Sequence, residues 1–523
     1  MTNQNDLAGI EINGQFKQAL ERMESNDNPL FITGKAGTGK STLLRYFRLH
    51  TEKQVAVVAP TGVAALNVGG QTIHSFFGFA PSVTPMDVRR EKPSNKLKKL
   101  LKKLDILIID EISMVRADLM DCINESCQHC LDDDRPFGGK QVVFFGDLYQ
   151  LPPVVSRDEE QELFSSIYKS PYFFDAKVWH FANIDIIELE KIYRQRDGEF
   201  IDLLNQIRHN SIDVEGMKKL NQSYQPESFD SDEGYITLTT TNKAANELNL
   251  RKLSQLGGED KSYAGKIEGN FGERNLPTEE KLQLKVGAQV MLLNNDMMGR
   301  WVNGSMGVIE EIAETKDDED KILVRLNEGD LVEVEPYTWS INRYYFDQAT
   351  QSLETEPVGS FTQYPLRLAW AVTIHKSQGK TFDKVVLDVG WGTFSPGQTY
   401  VAISRCTTLD GLVLKRPVAR KNIWTDERIV EFMEGKNQAE DKDEVKAKTM
   451  TKGQKVSLIH QAMLTKQPLK MLVLSPTNLE ENIEIRPTNL REKTEMGKAF
   501  LIMDGMTADT KKQIRLNRIV SIE

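Results

Sequence analysis

Residues 34–41 read Gly-Lys-Ala-Gly-Thr-Gly-Lys-Ser, which combines glycines, a lysine and a hydroxyl at fixed spacing. This run directly follows the apolar segment Leu30–Thr33 and precedes a helical pattern over residues 41–49. Strand, glycine-rich loop and helix in this order are the context that a phosphate-binding loop requires. Glycines let backbone N–H groups surround phosphates, and the helix N-terminus adds partial positive charge. The sequence therefore predicts a nucleoside triphosphate site rather than a chance glycine-rich turn.

Within this loop, Lys40 is expected to reach the β- and γ-phosphates, and Ser41 is expected to ligate Mg²⁺. The remaining predicted nucleotide-binding positions of the loop are Gly37, Thr38, Gly39 and Thr42. The predicted ligands are thus ATP and Mg²⁺.

A carboxylate pair, Asp110 and Glu111, ends the apolar segment that begins at Leu107. Alone, such a pair is usually solvated. Beside a phosphate loop, Asp110 becomes the natural partner of Mg²⁺, and Glu111 becomes the base that orients and deprotonates the attacking water. Phosphoryl transfer also needs positive charge near the γ-phosphate. Arg194 and Arg405 are the candidates, although spacing alone favours a surface arginine at either position.

Short apolar runs that alternate with helical patterns are typical of βα units around a parallel sheet. Two sets predict two α/β domains. The first set is Leu30–Thr33, Val55–Ala59, Leu107–Asp110 and Val142–Phe145; the second is Ile184–Leu189, Ile236–Thr239 and Val385–Val389. Alternating runs between Gly, Asn and Asp clusters over residues 281–360 predict a small antiparallel β module.

Composition limits the class of protein. The chain has 523 residues, 39% of them hydrophobic, with 66 Lys and Arg against 76 Asp and Glu, so its net charge is −10. These values exclude wholesale disorder, and no apolar run approaches the roughly 18 residues of a membrane helix. The start, MTNQNDLAGI, predicts no secretory signal, and four Cys indicate a reducing compartment. We therefore expect a cytoplasmic protein outside the membrane.

Further motifs occur in a fixed order along the chain. They are Ile73-His74-Ser75-Phe76, Asp110-Glu111-Ile112-Ser113-Met114, residues 146–154 (GDLYQLPPV), Tyr193-Arg194-Gln195, residues 373–379 (TIHKSQG) and residues 400–405 (YVAISR). Together they resemble the Pif family of superfamily one DNA helicases, in the RecD-like branch and of bacterial type. Residues 135–141 (RPFGGKQ) resemble the segment that marks Pif proteins within that branch. The motifs, counted from the phosphate loop, span residues 34–405.

The resemblance implies an α/β fold with two RecA-like domains, ATP between them and an inserted SH3-like β-barrel. It implies a motor that moves 5′→3′ on single-stranded DNA and unwinds duplex or structured DNA. The expected partners are single-stranded DNA and forked or structured DNA, and we expect a monomer in solution. It also implies that Gln150 senses the γ-phosphate, that Arg194 and Arg405 are arginine fingers from the second domain, and that Gln15 or Gln18 reads adenine. The implied DNA-facing residues are Pro60, Thr61, Gly62, His74, Ser75, Phe76, Thr373, His375 and Lys376.

The implied domain bounds are 1–185 for the first RecA-like domain, 186–280 with 361–433 for the second, 281–360 for the barrel, 434–452 for a charged linker and 453–523 for a β-rich accessory module. Residues 485–490 and 514–519 of that module weakly resemble a WYL domain, although the Trp-Tyr-Leu signature is absent. Residues 451–523 carry 12 Lys and Arg against 8 Asp and Glu, which suits DNA contact or a plain stabilising role.

Several residues have a structural alternative. His74 and His375 can be structural histidines, and Phe76 and Trp301 can belong to a core. Cys122, Cys127 and Cys130 echo a cluster-binding spacing, but their helical periodicity favours core packing. The rival functions are a nucleic-acid-binding regulator switched by ATP and the helicase subunit of a larger nuclease complex.

Overall fold

The computed structural model describes residues 12–25, 28–155, 167–195, 197–225, 234–272, 276–314, 320–347, 350, 352–390, 392, 395–435, 452–465, 467–474, 480–495, 498–507, 510–515 and 519–522. The chain divides into two compact units, Met1–Val430 and Glu431–Glu523, and each is described by itself. No helix within the described ranges has the length and apolar character needed to cross a membrane.

The first unit begins with a parallel sheet and its helices. The elements are α1 (Gly14–Ser25), β1 (Leu30–Gly34), α2 (Lys40–His50), β2 (Val55–Ala59), α3 (Gly62–Asn67), β3 (Gln71–Thr72), α4 (Ile73–Phe77), α5 (Pro85–Arg90), α6 (Asn95–Lys103), β4 (Ile106–Ile109), α7 (Ala117–Leu131), β5 (Gln141–Phe145), α8 (Lys177–Phe181) and β6 (Asp185–Leu189). The six strands are parallel in the order β3-β2-β4-β5-β1-β6. Helices cover both faces of such a sheet, so most of its strands are continuous apolar runs.

One strand assignment from the sequence was wrong. The segment Ile184–Leu189 was expected in the second set of strands, but β6 pairs in parallel with β1, with Leu30 opposite Asp185. A crossover can return a strand to either side of a sheet, so chain order does not reveal which sheet an apolar run joins. We call residues 12–189 the first half of this unit and residues 197–430 the second half.

The second half opens with helices and a large antiparallel insertion. Its elements are α9 (Gly198–Arg208), α10 (Val214–Asn221), β7 (Ile236–Thr239), α11 (Asn242–Gln255), β8 (Lys261–Ala264), β9 (Lys266–Gly269), β10 (Lys281–Leu284), β11 (Gln289–Leu292), β12 (Met306–Ala313), β13 (Lys321–Leu326), β14 (Leu331–Val334), β15 (Tyr337–Asp347), β16 (Ser352–Gln363) and β17 (Leu366–Leu368). Five strands form a sheet in the order β14-β13-β12-β11-β17. Trp301 is 6% exposed and packs in the core of this sheet. Its closure as an SH3-like barrel stays a prediction.

The long hairpin β15–β16 leaves this insertion and contacts the first half. The backbone N–H of Val57 in β2 donates to the Tyr344 hydroxyl at 3.1 Å, and the Tyr344 N–H donates to Gln71 Oε1 at 3.4 Å. The ring of Phe76 meets Tyr344 edge to face. The hairpin therefore packs beside β2 and β3, at the edge of the first sheet.

The second parallel sheet completes this unit. The remaining elements are β18 (Ala371–Thr373), β19 (Val385–Asp388), α12 (Gln398–Ile403), β20 (Leu412–Leu414) and α13 (Glu427–Met433). The strands run parallel in the order β18-β7-β19-β20. Two parallel sheets in one unit confirm the α/β class predicted from the apolar runs.

The cysteines of α7 and the leucines around α6 are buried in the core. Cys122, Cys127 and Cys130 lie on α7, each 0% exposed, which confirms core packing. The basic segment at residues 95–104 (NKLKKLLKKL) has its leucines buried on one side of α6 and just beyond it, at Leu97, Leu100, Leu101 and Leu104. The basic segment is therefore an amphipathic helix packed on its own protein.

The second unit contains α14 (Lys452–Thr465), β21 (Leu469–Leu474), β22 (Glu480–Glu495), β23 (Lys498–Met506), β24 (Lys511–Arg515) and β25 (Ile519–Ile522). The strands form an antiparallel sheet in the order β24-β23-β22-β21-β25. Ile459 of the helix packs with Met471, Ile485 and Met503 of the sheet. The WYL resemblance stays a prediction, and most of the predicted linker 434–452 lies outside the described residues.

Candidate active site

The phosphate loop between β1 and α2 has the backbone that its glycines permit. Gly37 and Gly39 adopt φ of 82° and 84°, in the left-handed region. A Cβ on Gly37 would come 2.5 Å from the Cβ of Arg194, and one on Gly39 would come 2.9 Å from the ring of Phe16. Any larger residue would fill the cradle or push these neighbours away.

Lys40 is the first residue of α2, and its ammonium lies inside the loop. Its Nζ donates to the carbonyl oxygens of Gly34 at 2.6 Å and Lys35 at 3.0 Å. Burial lowers the pKa of Lys40, and the carboxylates Asp147 and Glu111 only partly oppose this. A cation held by carbonyl oxygens that are neutral can exchange them for phosphate oxygens at low cost.

At the other end of the loop, Gln15 is the better placed of the two adenine candidates. The Glu190 N–H donates to Gln15 Oε1 at 2.9 Å, beyond the end of β6. Its neighbour Phe16 lies beside Gly39 and meets Tyr193 edge to face. Gln18 is exposed. The structure thus brings Gln15, rather than Gln18, to the residues around the loop.

Asp110 and Glu111 follow the end of β4. Burial, and then the charge of Glu111, raises the pKa of Asp110 to about 7. Burial also raises the pKa of Glu111, which the charges of Lys40 and Arg405 partly offset. Glu111 has φ 50°, a left-handed backbone that a residue with a side chain adopts at some cost. A buried carboxylate with a raised pKa is suited to accept a proton.

The donor set fits a nucleotide with a divalent cation. Gly37 keeps the tight left-handed turn of a phosphate-binding loop, where a Cβ would come 2.5 Å from Arg194. The Ser41 hydroxyl and the Asp110 carboxylate are oxygen ligands of the kind that Mg²⁺ prefers. Both lie at the carboxyl ends of strands of the same parallel sheet, where such sites form.

Arg194 and Arg405 both lie beside the nucleotide site, in the cleft between the two halves. They belong to different parts of the chain. Arg194 is on the connection after β6, and its Nη1 donates to the carbonyl of Ser404 at 3.2 Å. Arg405 follows α12 in the second half, is 1% exposed, and donates to the carbonyls of Val401 (2.9 Å) and Lys380 (3.2 Å). Burial, and then the charge of Arg405, lowers the pKa of Arg194 to about 9. Among the described residues neither arginine pairs with a carboxylate, so both suit an anionic ligand.

Gln378 is a site residue that sequence reasoning missed. Its Nε2 donates to Glu111 Oε2 at 3.0 Å and to Gln150 Oε1 at 3.3 Å. Gln378 belongs to the second half, whereas Glu111 and Gln150 belong to the first. Its position within the 373–379 motif was the available signal.

Asp147 and Arg208 were also missed. The Arg208 Nη2 donates to Asp147 Oδ1 at 3.2 Å. The Tyr400 hydroxyl accepts from the Ala36 N–H at 3.0 Å and donates to Asp147 Oδ2 at 3.4 Å. Burial opposes ionisation of Asp147, but Arg208 and Lys40 outweigh it and lower its pKa. Asp147 lies in the motif at residues 146–154, whereas Arg208 lies in none of the motifs.

The DNA-facing residues predicted in the first half surround α3 and α4. Thr61 caps α3, since its hydroxyl accepts from the Ala64 N–H at 3.2 Å. Ser75 is exposed and accepts from Gln71 Nε2 at 2.8 Å. Phe76 is only 6% exposed, which favours its core alternative. The others, Pro60, Gly62 and His74, are partly exposed, and burial lowers the pKa of His74.

The DNA-facing residues predicted in the second half lie at and just after the end of β18. Thr373 is buried, and its hydroxyl accepts from the Lys376 N–H at 3.3 Å. Burial lowers the pKa of His375, which is partly exposed. Lys376 is exposed, although desolvation lowers its pKa as well. Lys376 is thus the accessible cation of this group.

Comparisons with known proteins identify relatives of this chain. The family model of the PIF1-like helicases matches residues 11–217. The ATP-dependent DNA helicase Pif1 of Bdellovibrio bacteriovorus is 33% identical over 415 residues, which cover 77% of this chain and 88% of that protein. The structure of Bacteroides sp Pif1 in complex with ADP-AlF4 is 38% identical with a TM-score of 0.76, over 83% of this chain and 99% of that one. Bacteroides Pif1 bound to ssDNA is also 38% identical, with a TM-score of 0.60 over the same shares.

The residues matched by the family model include the phosphate loop, the carboxylate pair and Gln150. The resemblance stated from the motifs is therefore confirmed, and the chain belongs to the PIF1-like helicase family.

Proposed function

We propose that this chain is an ATP-dependent DNA helicase that moves 5′→3′ along single-stranded DNA and unwinds forked or structured DNA. The observation that carries the proposal is the hydrogen bond from Gln378 of the second half to Glu111, the predicted base, on the first half. A hydrolytic site assembled from both halves links turnover to their relative position, which a motor requires. The polarity rests on the motif resemblance.

The residues of the cleft divide the work of hydrolysis. Lys40 binds the phosphates, and Glu111 takes the proton of the attacking water. Gln150 senses the γ-phosphate. Arg194 and Arg405 stabilise the charge that develops on the transferred group. Mg²⁺, held by Ser41 and Asp110, would neutralise charge on the β- and γ-phosphates. Closure of the cleft brings the arginines to the nucleotide, and hydrolysis releases them.

The DNA track is proposed to cross both halves. A cavity of about 400 Å³ lies between the α3–β3 region and the hairpin β15–β16. Gly62 and Ser75, both predicted to face DNA, line it together with Arg343 of the hairpin. Lys376 adds an exposed cation in the second half. Cations beside a cleft attract the phosphate backbone, and the bases stack on apolar or aromatic surfaces.

The test uses one duplex with either a 5′ or a 3′ single-stranded tail, and measures strand separation with ATP. Unwinding from the 5′ tail, and its loss in Lys40→Ala, is the expected result. Unwinding from the 3′ tail would keep the motor and overturn the polarity. ATP hydrolysis without unwinding of either substrate would favour the ATP-switched regulator or a subunit that needs a partner.

A further inference from the structure

Four side-chain hydrogen bonds join five residues of the cleft in series, and three of these bonds cross between the halves. We call the five residues the interdomain relay. Three of them, Asp147, Gln150 and Glu111, belong to the first half, whereas Arg208 and Gln378 belong to the second. The contacts are Arg208 Nη2 to Asp147 Oδ1 (3.2 Å), Gln150 Nε2 to Asp147 Oδ2 (3.3 Å), Gln378 Nε2 to Gln150 Oε1 (3.3 Å) and Gln378 Nε2 to Glu111 Oε2 (3.0 Å). The relay therefore passes between the halves more than once.

Arg208 stands at one end of the relay, in an environment that is costly for a cation. It is the last residue of α9 and is 2% exposed. Its guanidinium lies 4.0 Å from the ring centre of Tyr149, and a weaker ion pair joins it to Glu188 at 3.7 Å. Its buried Nε meets no acceptor among the described residues. Buried ion pairs contribute little net stability, so a function beyond folding is the better account of this arginine.

The charges at the two ends of the relay set the direction of the amides between them. An ionised carboxylate only accepts hydrogen bonds, so Asp147 holds the NH₂ group of Gln150. The carbonyl oxygen of Gln150 then faces Gln378, whose NH₂ group donates to both Gln150 and Glu111. If Asp147 turned away or became neutral, the NH₂ group of Gln150 would lose its charged acceptor, and only the contact with Gln378 would hold the amide.

The position of α9 extends this link toward the arginine of the second half. α9 packs against α12, which leads directly into Arg405. These contacts form a continuous path from Gln150 through Asp147, Arg208 and α9 to the helix before Arg405.

We propose that Arg208 is a positioning residue that holds Asp147 and, through it, the amide of Gln150, so that the nucleotide state reaches the second half through α9. This inference rests on the proposed ATPase and DNA-binding function. Arg208 does not contact ATP in this role; its effect passes through Asp147.

The test compares ATP hydrolysis with and without single-stranded DNA in the full chain, and the readout is the ratio of the two kcat values. Arg208→Gln is expected to lower the DNA-stimulated kcat at least about tenfold, to change KM for ATP by less than about threefold, and to bring the ratio close to one. Arg208→Lys keeps the charge without the planar fork and should recover part of the ratio. Asp147→Asn, which is nearly isosteric, should reproduce the loss if Arg208→Gln does not fold.

Arg428→Gln is the matched control, because Arg428 also pairs with a buried carboxylate, that of Asp175, but outside the relay. It should lower the melting temperature and leave the stimulation ratio at the wild-type value. The inference is overturned if Arg208→Gln or Asp147→Asn lowers both rates by one common factor, since that is loss of folded enzyme. If the wild-type chain shows no stimulation by DNA, the proposed function fails instead.

Discussion

The nucleotide cleft and the predicted DNA face are built from loops of the same two halves, but their polar contacts follow different rules. In the cleft, contacts cross between the halves: Gln378 bonds Glu111 at 3.0 Å, and Tyr400 accepts from Ala36 at 3.0 Å. On the DNA face, the predicted residues bond locally. Ser75 contacts Gln71, four residues away, and Thr373 contacts Lys376, three residues away.

This difference indicates a division of labour. Contacts that cross between halves break or re-form when the halves move, so the cleft can report whether the nucleotide is present. Contacts within one half survive that movement, so each half can keep its own hold on the DNA backbone. A motor needs both properties, because one grip must persist while the other shifts.

The largest expected effect is that of Lys40→Ala, which should abolish the function of the nucleotide cleft and leave that of the DNA face. Lys40→Ala removes the cation of the phosphate loop, and ATP hydrolysis should fall by at least about 10³-fold. Affinity for single-stranded DNA should stay within about twofold, measured by fluorescence anisotropy without nucleotide. An equal loss of DNA binding would show that the two regions do not work separately.

Glu111→Gln tests the cleft without removing its shape. The amide cannot accept the proton of the attacking water, so kcat should fall by about 10²- to 10⁴-fold. ATP binding should hold or strengthen, because a negative charge near the phosphates is lost. Single-turnover hydrolysis and direct nucleotide titration separate these effects. An unchanged kcat in this variant would show that a residue other than Glu111 is the general base.

Lys376→Ala tests the DNA face. Loss of one phosphate contact should weaken single-stranded DNA binding by about 3- to 10-fold and lower the slope of log K against log salt by about 1. Lys99→Ala, an exposed lysine on α6, is the control and should change neither quantity. Equal effects of both variants would indicate attraction by total charge rather than a defined contact.

The smallest effect is a pH dependence of stability in the nucleotide-free protein. The pKa of Asp110 is raised to about 7 in the folded chain, so the folded state keeps a proton that the unfolded state loses above the ordinary value of 3.8. Stability from this group is therefore present at low pH and lost as pH rises toward 7. Asp110→Asn does not titrate, and should melt higher than wild type at pH 8, by on the order of 2–5 °C, but not at pH 4.

Asp133→Asn gives the opposite sign as a control. The hydrogen bond from Arg135 lowers the pKa of Asp133, so its stabilising effect is present at high pH and lost on acidification. This variant should melt slightly lower than wild type at pH 8. A uniform shift of both variants at every pH would contradict the titration of Asp110.

Local patterns predicted the nucleotide-binding half of the cleft well. The loop at residues 34–41 lies between β1 and α2 as its spacing required, and Asp110 follows β4. Such motifs are short because one strand end and one helix start supply all their groups. The same reasoning failed at β6, because the residues of an apolar run do not show which strand it will pair with.

The contacts that complete the cleft were beyond local patterns. Gln378 lies 267 residues from Glu111, and Arg208 lies 61 residues from Asp147. A single glutamine or arginine has no signature when its partner is remote in the chain. The burial of Phe76 was equally undecided, since its packing partner Tyr344 belongs to the distant hairpin β15–β16.

By itself, the amino-acid sequence determined the phosphate loop, the carboxylate pair, the α/β class and the family, because each depends on residue types at short, fixed spacing. Only the tertiary structure decided which sheet β6 joins, which glutamine meets Glu111 and which arginine holds Asp147. Those choices depend on how crossovers and buried charges satisfy one another across the cleft. A buried polar group must find a partner wherever the fold supplies one, however far that partner lies along the chain.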